Sequence, residues 1–447
     1  MALAGDGGDA WAMNTPSLSI TPPNTPVTES RLFFIDWLRI LAFGLLVPYH
    51  VGMYYVSWGW HVKSPAASET LEPLMLMSSP WRLGLLFFVG GVALAQAWGR
   101  EQSQRPGQPS GLLRQRSARL LLPLVFGMLL IVPPQSYFEV VQKLAYPGSY
   151  LEFMRQYLQG FDGFCFAEEG RRKCLSLPTW NHLWFLPYLW VYGWIGITLL
   201  RRAPAWLAGL GQRLAGLGPW GLLLGLALPL MLARQLVGAF PSTHNLTWDW
   251  YNHAQYLSLF LMGMVASQAG RAFWQRLSAL RWPALVGAVL AWALLMVYFE
   301  AYAKATPPEG LRALMRCVWG LLQWWATAAA CGFAFRHLDV DSAWRRRLSA
   351  AVFCVYILHQ TVIVLLTQAL APLHLAPLPE GLLLITATWA LCTLAYGVVR
   401  AWLPAPLALL LGVDRPKTPA VQAGRSAATI SGPVPHTTTA ELGPEAR

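Results

Sequence analysis

Three ionisable residues, Asp36, Arg39 and His50, stand inside the first long apolar run of the chain. Charge is costly in an apolar run and is seldom kept there without a task. At 100° per residue, the eleven positions from Arg39 to His50 leave a remainder of about 20° beyond whole turns, and the fourteen from Asp36 fall about 40° short of four turns. The three side chains therefore share one stripe of a helix, with His50 about 16 Å beyond Arg39. Asp36 and Arg39, three apart, are placed to pair, which lowers the cost of burying either. Pro48 removes a backbone hydrogen bond two residues before His50 and predicts a kink, with loosened carbonyls and space beside the imidazole. An imidazole with an ordinary pKa near 6.5 can accept a proton at neutral pH, as a general base must. A histidine that only ties helices together is the plainer reading; the shared stripe favours chemistry.

Other candidate groups are scattered along the chain. Arg116 and Arg119, three apart where a helix should begin, can grip phosphate, although topology-setting charge would look the same. His182 and Trp184 open a later apolar run, His253 opens another behind Trp248, Asp249 and Trp250, and His359 lies about mid-way through a third. Indole and imidazole beside polar groups suit a sugar ring, and they equally suit the aromatic belt at a membrane surface. No HExxH, no glycine-rich phosphate loop and no GxSxG elbow is present, so no metal site is expected. Any chemistry must be assembled from groups far apart in sequence.

The elements that would assemble them are membrane spans. Apolar segments lie near 33–57, 80–99, 117–137, 180–200, 219–240, 251–270, 282–301, 311–335, 349–371 and 379–402. Each is long enough to cross about 30 Å of hydrocarbon at 1.5 Å per residue. The fold class is thus all-α, a polytopic bundle of about ten transmembrane helices. Residues 31–405 form one membrane domain between disordered tails, 1–30 and 406–447, with a short helix conceivable after Pro404. The first apolar run is too long for a cleavable signal peptide and lacks a small-residue cleavage site.

Composition agrees. Of 447 residues, 55% are hydrophobic and 12% charged, too little charge to cover a water-soluble surface. The net charge of +12 could suggest nucleic acid, but the basic residues form short clusters between apolar runs rather than a stripe interleaved with stacking aromatics. Connections that should share one side hold 22 of the 33 Lys and Arg, among them Arg100, Arg201, Arg271 and Arg345 to Arg347. That asymmetry places both termini in the cytoplasm of an inner (plasma) membrane, as an even number of spans requires. The long 138–179 loop then faces outside, and Cys165 and Cys174 within it are expected to pair where that compartment is oxidising. Cys317, Cys331, Cys354 and Cys392 sit in apolar runs and read as packing residues.

Arg39-x10-His50, Arg116-x2-Arg119 and Tyr356-x2-His359 occur together and in this order. The constellation resembles the acyltransferase type 3 family of membrane O-acyltransferases over about residues 31–405. Trp60-His61-Val62, His182-Leu-Trp-Phe-Leu186 and Phe260-Leu-Met-Gly263 look closest to its glucans biosynthesis protein C branch. The resemblance implies transfer of an acyl group, acetyl or succinyl, from cytoplasmic acyl-CoA to a hydroxyl of an extracytoplasmic carbohydrate or glucan. His50 would be the catalytic histidine, with Arg39 its motif partner and Asp36 beside them, and Arg116 and Arg119 would bind the donor. His182, Trp184, His253 and His359 would face the acceptor. Acyl-CoA is then a co-substrate, no cofactor is permanently bound, and the remaining partner is the bilayer. A proton-coupled transporter or flippase of a carbohydrate-type substrate would also bury Asp, Arg and His, but no pair of broken helices in matching halves is evident.

Overall fold

The computed structural model describes residues 31–108, 110–168 and 171–414. The expected tails, 1–30 and the part of 406–447 from residue 415 onward, lie outside the described residues. Among the described residues every element is helical except one short hairpin. In chain order the helices are α1 (Phe33–Gly44), α2 (Leu46–Tyr55), α3 (Glu72–Leu76), α4 (Ser79–Gln104), α5 (Leu112–Phe126), α6 (Pro133–Leu144), α7 (Tyr150–Leu158), α8 (Phe185–Arg202), α9 (Pro204–Gly216) and α10 (Leu228–Gln235). They continue as α11 (Trp250–Gln268), α12 (Gly270–Ala279), α13 (Arg281–Ala301), α14 (Glu309–Leu338), α15 (Ala343–Leu370), α16 (Pro377–Trp402) and α17 (Ala405–Leu410).

Among the described residues, eight helical stretches are long and apolar enough to cross a membrane. The sequence predicts about ten, and all ten segments are helical, so the difference is one of polarity. The two that fall short are α11 and α14. α11 carries Asn252 and Gln255, both buried, and α14 carries buried Gln323, which donates to Gln255 at 3.2 Å. Their polar groups are satisfied against neighbouring helices, and apolar neighbours rather than lipid supply much of their surroundings. The expected domain end at residue 405 is also too early. α17 follows Pro404, Val413 is 1% exposed, and Asp414 reaches Arg119 on α5.

The first span breaks where Pro48 requires it. Pro48 has no N–H for the carbonyl of Gly44, so the ladder skips a rung and α1 gives way to α2 at Leu45. Two further ladder faults are π-helical, at Gly127–Ile131 and Gly221–Gly225. The first of these wide turns leaves carbonyls for side chains: Met128 accepts from Tyr157 at 2.7 Å and Ile131 from Thr361 at 2.6 Å.

At the centre, α4 crosses α11 with almost no space between the backbones. A Cβ added at Gly91 would come within 1.9 Å of the Phe260 carbonyl oxygen, and one at Gly263 within 2.0 Å of that of Phe88. In lipid, where helices gain nothing from leaving water, such close contact between small residues is a main source of association. Outside the bundle, the antiparallel strands β1 (Cys165–Glu168) and β2 (Arg171–Cys174) pair Cys165 with Cys174, and a disulfide joins them. The hairpin's base rests on a small core of Val140, Phe153, Tyr157 and Phe164.

The α4–α11 crossing yields a stability prediction. Gly263→Ala forces the two helices apart and is expected to cost about 1–3 kcal/mol, the usual penalty of overpacking. Thermal unfolding in detergent micelles measures it, and an unchanged midpoint would show that the crossing can yield.

Candidate active site

The arginine-rich end of the bundle opens into a cavity of about 520 Å³. Six arginines line it, Arg31, Arg39, Arg116, Arg119, Arg345 and Arg346, against two carboxylates, Asp36 and Asp414. Asp36 is the hub. It takes Arg31 at 2.9 Å, Arg39 at 3.3 Å and Arg345 in direct contact. Arg39 also bonds the Ser349 hydroxyl, and Arg345 reaches Asp341 at 2.7 Å. The Asp36–Arg39 pair expected from their spacing is therefore present but shared. Arg116 and Arg119, carried by α5, line the same cavity. Arg119 pairs with Asp414, and the buried Nε of Arg116 has no partner.

Deeper in, the lining turns apolar, with Phe43, Leu86, Phe185 and Leu189. Phe43 packs edge-on to Phe185 at 6.1 Å and lies 5.1 Å from the ring of Tyr356, which is 6.0 Å from that of His359. His50 follows Phe43 by two helical turns, about 10 Å. His50 does not itself line the cavity; it joins the aromatic wall through His359, whose ring stacks on it at 5.0 Å.

Here the chain brings together His50, His182 and His359. His50 Nδ1 lies 2.8 Å from His359 Nε2, and the rings stack at 5.0 Å. His359 Nδ1 lies 2.6 Å from the Tyr356 carbonyl, which can only accept. The hydrogen of a neutral His359 is thus on Nδ1, its Nε2 must accept, and His50 must donate from Nδ1. The lone pair of His50 is thereby fixed on Nε2, which has no partner among the described residues. The other rings hold no such free nitrogen. His182 Nε2 meets the Ile357 carbonyl at 3.1 Å, and its Nδ1 accepts from the Gln135 amide at 3.3 Å.

From Gln135 the network runs on through residues that, His61 apart, the sequence offers little reason to choose. Its Oε1 accepts from Gln360 at 3.1 Å, Gln360 donates to His61 Nε2 at 2.8 Å, and His61 Nδ1 bonds Glu139 at 2.5 Å. Lys143 closes the chain on Glu139 at 2.8 Å. Gln135, Gln360 and Glu139 are each buried to within 3%. Only Glu139 and Lys143, four apart on α6, leave a signal in the sequence. Arg345 and Ser349 were equally hidden, because the run Arg345 to Arg347 looks like topology charge. A signal existed for Arg345: Ser342 caps α15 by accepting its N–H at 3.1 Å, which puts Arg345 in the first turn of a helix facing Asp36.

Trp184 and His253 sit apart from this cluster. The Trp184 indole stacks on His244 at 4.1 Å, while His253 bonds Tyr192 at 2.8 Å and the Leu246 carbonyl at 2.6 Å. Asp249 organises this outer cap, accepting from Tyr188 at 2.5 Å, from Asn252 at 2.7 Å and from the N–H groups of Thr243 and His244. Burial alone would raise its carboxyl; these hydrogen bonds hold it below the usual carboxylate range. Burial pushes the His244 imidazole down to about 4, so it stacks as a neutral ring. Of the four residues expected to face an acceptor, two lie at His50 and two belong to the cap.

A bundle of apolar helices with a basic cavity at one end and a free imidazole nitrogen behind it defines a class of multi-pass membrane protein. A family model described as an acyltransferase domain matches residues 32–397, and the chain belongs to that acyltransferase family. It is a membrane acyltransferase. Neither a curated protein nor a solved structure gives a match.

The Asp36 hub can be tested without substrate. Arg345→Ala leaves a largely buried carboxylate short of its most enclosed partner, and the loss is expected to be about 3 kcal/mol. A midpoint of thermal unfolding equal to that of the wild type would show that Arg31 and Arg39 suffice.

Proposed function

We propose that this acyltransferase moves an acyl group from acyl-CoA, held at the arginine-lined mouth, to a hydroxyl of a carbohydrate that approaches from the opposite face. The single observation that supports it most is the free Nε2 of His50 beside the apolar end of the basic cavity. Phosphates of the donor suit Arg116 and Arg119, whose charge is only partly answered by Asp414. The acyl end suits the aromatic wall of Phe43 and Phe185.

The chemistry follows from the hydrogen pattern. A sugar hydroxyl is a poor nucleophile until its proton is taken, and His50 Nε2 can take it. His359 holds the His50 ring by its other nitrogen and is free to share the positive charge through the same bond. As the C–S bond breaks, the proton passes from His50 to the departing thiolate, and CoA leaves as the thiol. Nothing in this cycle requires a resident cofactor. In this reading both termini are cytoplasmic, the membrane is the inner (plasma) membrane, and the acceptor is an envelope carbohydrate. The motifs around Trp60 and Gly263 favour a glucan, with acetyl or succinyl as the acyl group.

Two variants test the roles. His50→Gln keeps a hydrogen-bonding side chain but no basic nitrogen, and should lower transfer at least 100-fold, the lower range for a lost general base. Alkali-labile acyl esters on the surface glycans of producing cells report it; near-normal levels would remove His50 from the chemistry. Arg116→Ala should raise the KM for acyl-CoA about tenfold with a smaller effect on kcat, the loss of one charge-assisted hydrogen bond. An unchanged KM would return Arg116 to the role of topology charge.

A further inference from the structure

One buried cation in the bundle is left unanswered. Arg82 lies one turn into α4 and is 2% exposed. Its Nη1 donates to the Ser78 hydroxyl at 3.3 Å, its Nε has no partner, and no carboxylate pairs with it among the described residues. Arg345, equally buried, has both Asp36 and Asp341. The position adds to the cost, because the first turn of a helix carries the positive end of its dipole. What Arg82 does have is the face of Tyr49, with Cζ 3.6 Å from the ring centroid. A ring face returns only part of what desolvating a guanidinium takes. A cation kept at such a cost in a span points to an anion that visits.

The neighbourhood says which anion. The Tyr49 ring is 5.7 Å from that of His50, so Arg82 is no further from the His50 imidazole than these two short steps together. His50, Tyr49 and Arg82 thus form one group, with a base at one end and a fixed positive charge at the other. The Asp36 hub and Arg116 lie at the mouth and cannot serve the reacting carbon behind the aromatic wall.

We propose that Arg82 is a further catalytic residue, which stabilises the negative charge that develops on the thioester carbonyl oxygen. This rests on the acyl-transfer reading above. His50 Nε2 takes the hydroxyl proton as the acceptor oxygen bonds to the carbonyl carbon, and the C=O π pair moves onto oxygen beside the guanidinium. The pair then returns, C=O re-forms and the C–S bond breaks. The thiolate recovers the proton from His50, leaving an ester and CoA thiol. The guanidinium gains or loses no proton. It is dehydrated and fixed before the reaction, the condition under which a charge lowers a barrier most.

The test uses the full chain in native membranes, which carry its own acceptor, with acetyl-CoA as the probe and released CoA thiol as the signal. Arg82→Gln is expected to lower kcat 100- to 1000-fold, with the KM for acetyl-CoA changed less than about threefold. Arg82→Lys, which keeps the charge on a different geometry, should recover at least tenfold of that loss. If Arg82→Gln does not fold, the Lys variant decides: activity equal to the wild type, or a KM raised tenfold at unchanged kcat, overturns the proposal. His50→Ala separates the two readings. Should it release thiol as fast as the wild type, or the wild type release none, the acyl-transfer reading itself fails. Should His50→Ala be inactive while Arg82→Gln keeps its kcat, only the role of Arg82 fails.

Discussion

The structure depends on one constraint: a polar group inside hydrocarbon must find its partner within the protein, because no water will supply it. The constraint is met in three different ways. At the mouth, one carboxylate, Asp36, is shared by three guanidinium groups drawn from two ends of the chain. Behind the aromatic wall, imidazoles and amides satisfy one another in a chain from His182 to Glu139, with the Gln360 amide donating to both sides. In the outer cap, a single buried carboxylate, Asp249, collects two side chains and two backbone N–H groups. Two of the groups left short of partners, His50 Nε2 and the guanidinium of Arg82, are neighbours. Unmet valence in an otherwise satisfied interior is where a substrate has something to bind.

The same constraint explains what could be read from the sequence. Apolar runs, the asymmetry of arginine and the break at Pro48 are local signals, and each reappears as a helix, a charged end or a kink. Asp36, Arg39 and His50 were legible because one apolar run carries all three, although the break at Leu45 divides them between α1 and α2. Two spans misled by polarity, since Asn252, Gln255 and Gln323 satisfy each other across α11 and α14, a pairing that no window along one segment can see. Gln135 and Gln360 were invisible for a similar reason: an isolated glutamine has no periodicity or charge that marks it. His253 lies in the cap rather than beside His50, bonded to Tyr192 and to the Leu246 carbonyl, a placement that its position in the sequence does not reveal.

The C-terminal segment shows how a boundary can mislead. Residues 405–413 are a short apolar stretch between Pro404 and a polar one, and they read as tail, yet Val413 is buried and Asp414 meets Arg119. Gly412, with φ of +72°, makes the turn that allows this, and a Cβ there would run into Phe353 at 2.3 Å. A carboxylate placed by so specific a bend on one of the mouth arginines occupies ground that a phosphate would also claim.

A protein with guanidinium groups at one end and a succession of imidazoles toward the other holds the parts of a proton wire, and a cell that depends on its membrane potential cannot tolerate one. The layer of Phe43, Phe185 and Tyr356 interrupts it. Rings 5.1 to 6.2 Å apart leave a stretch with few groups along which a proton could hop. The histidine chain beyond offers no continuous relay either, because the Gln360 amide donates both ways, to Gln135 and to His61. The aromatic layer is therefore electrical insulation between the two ends of the bundle.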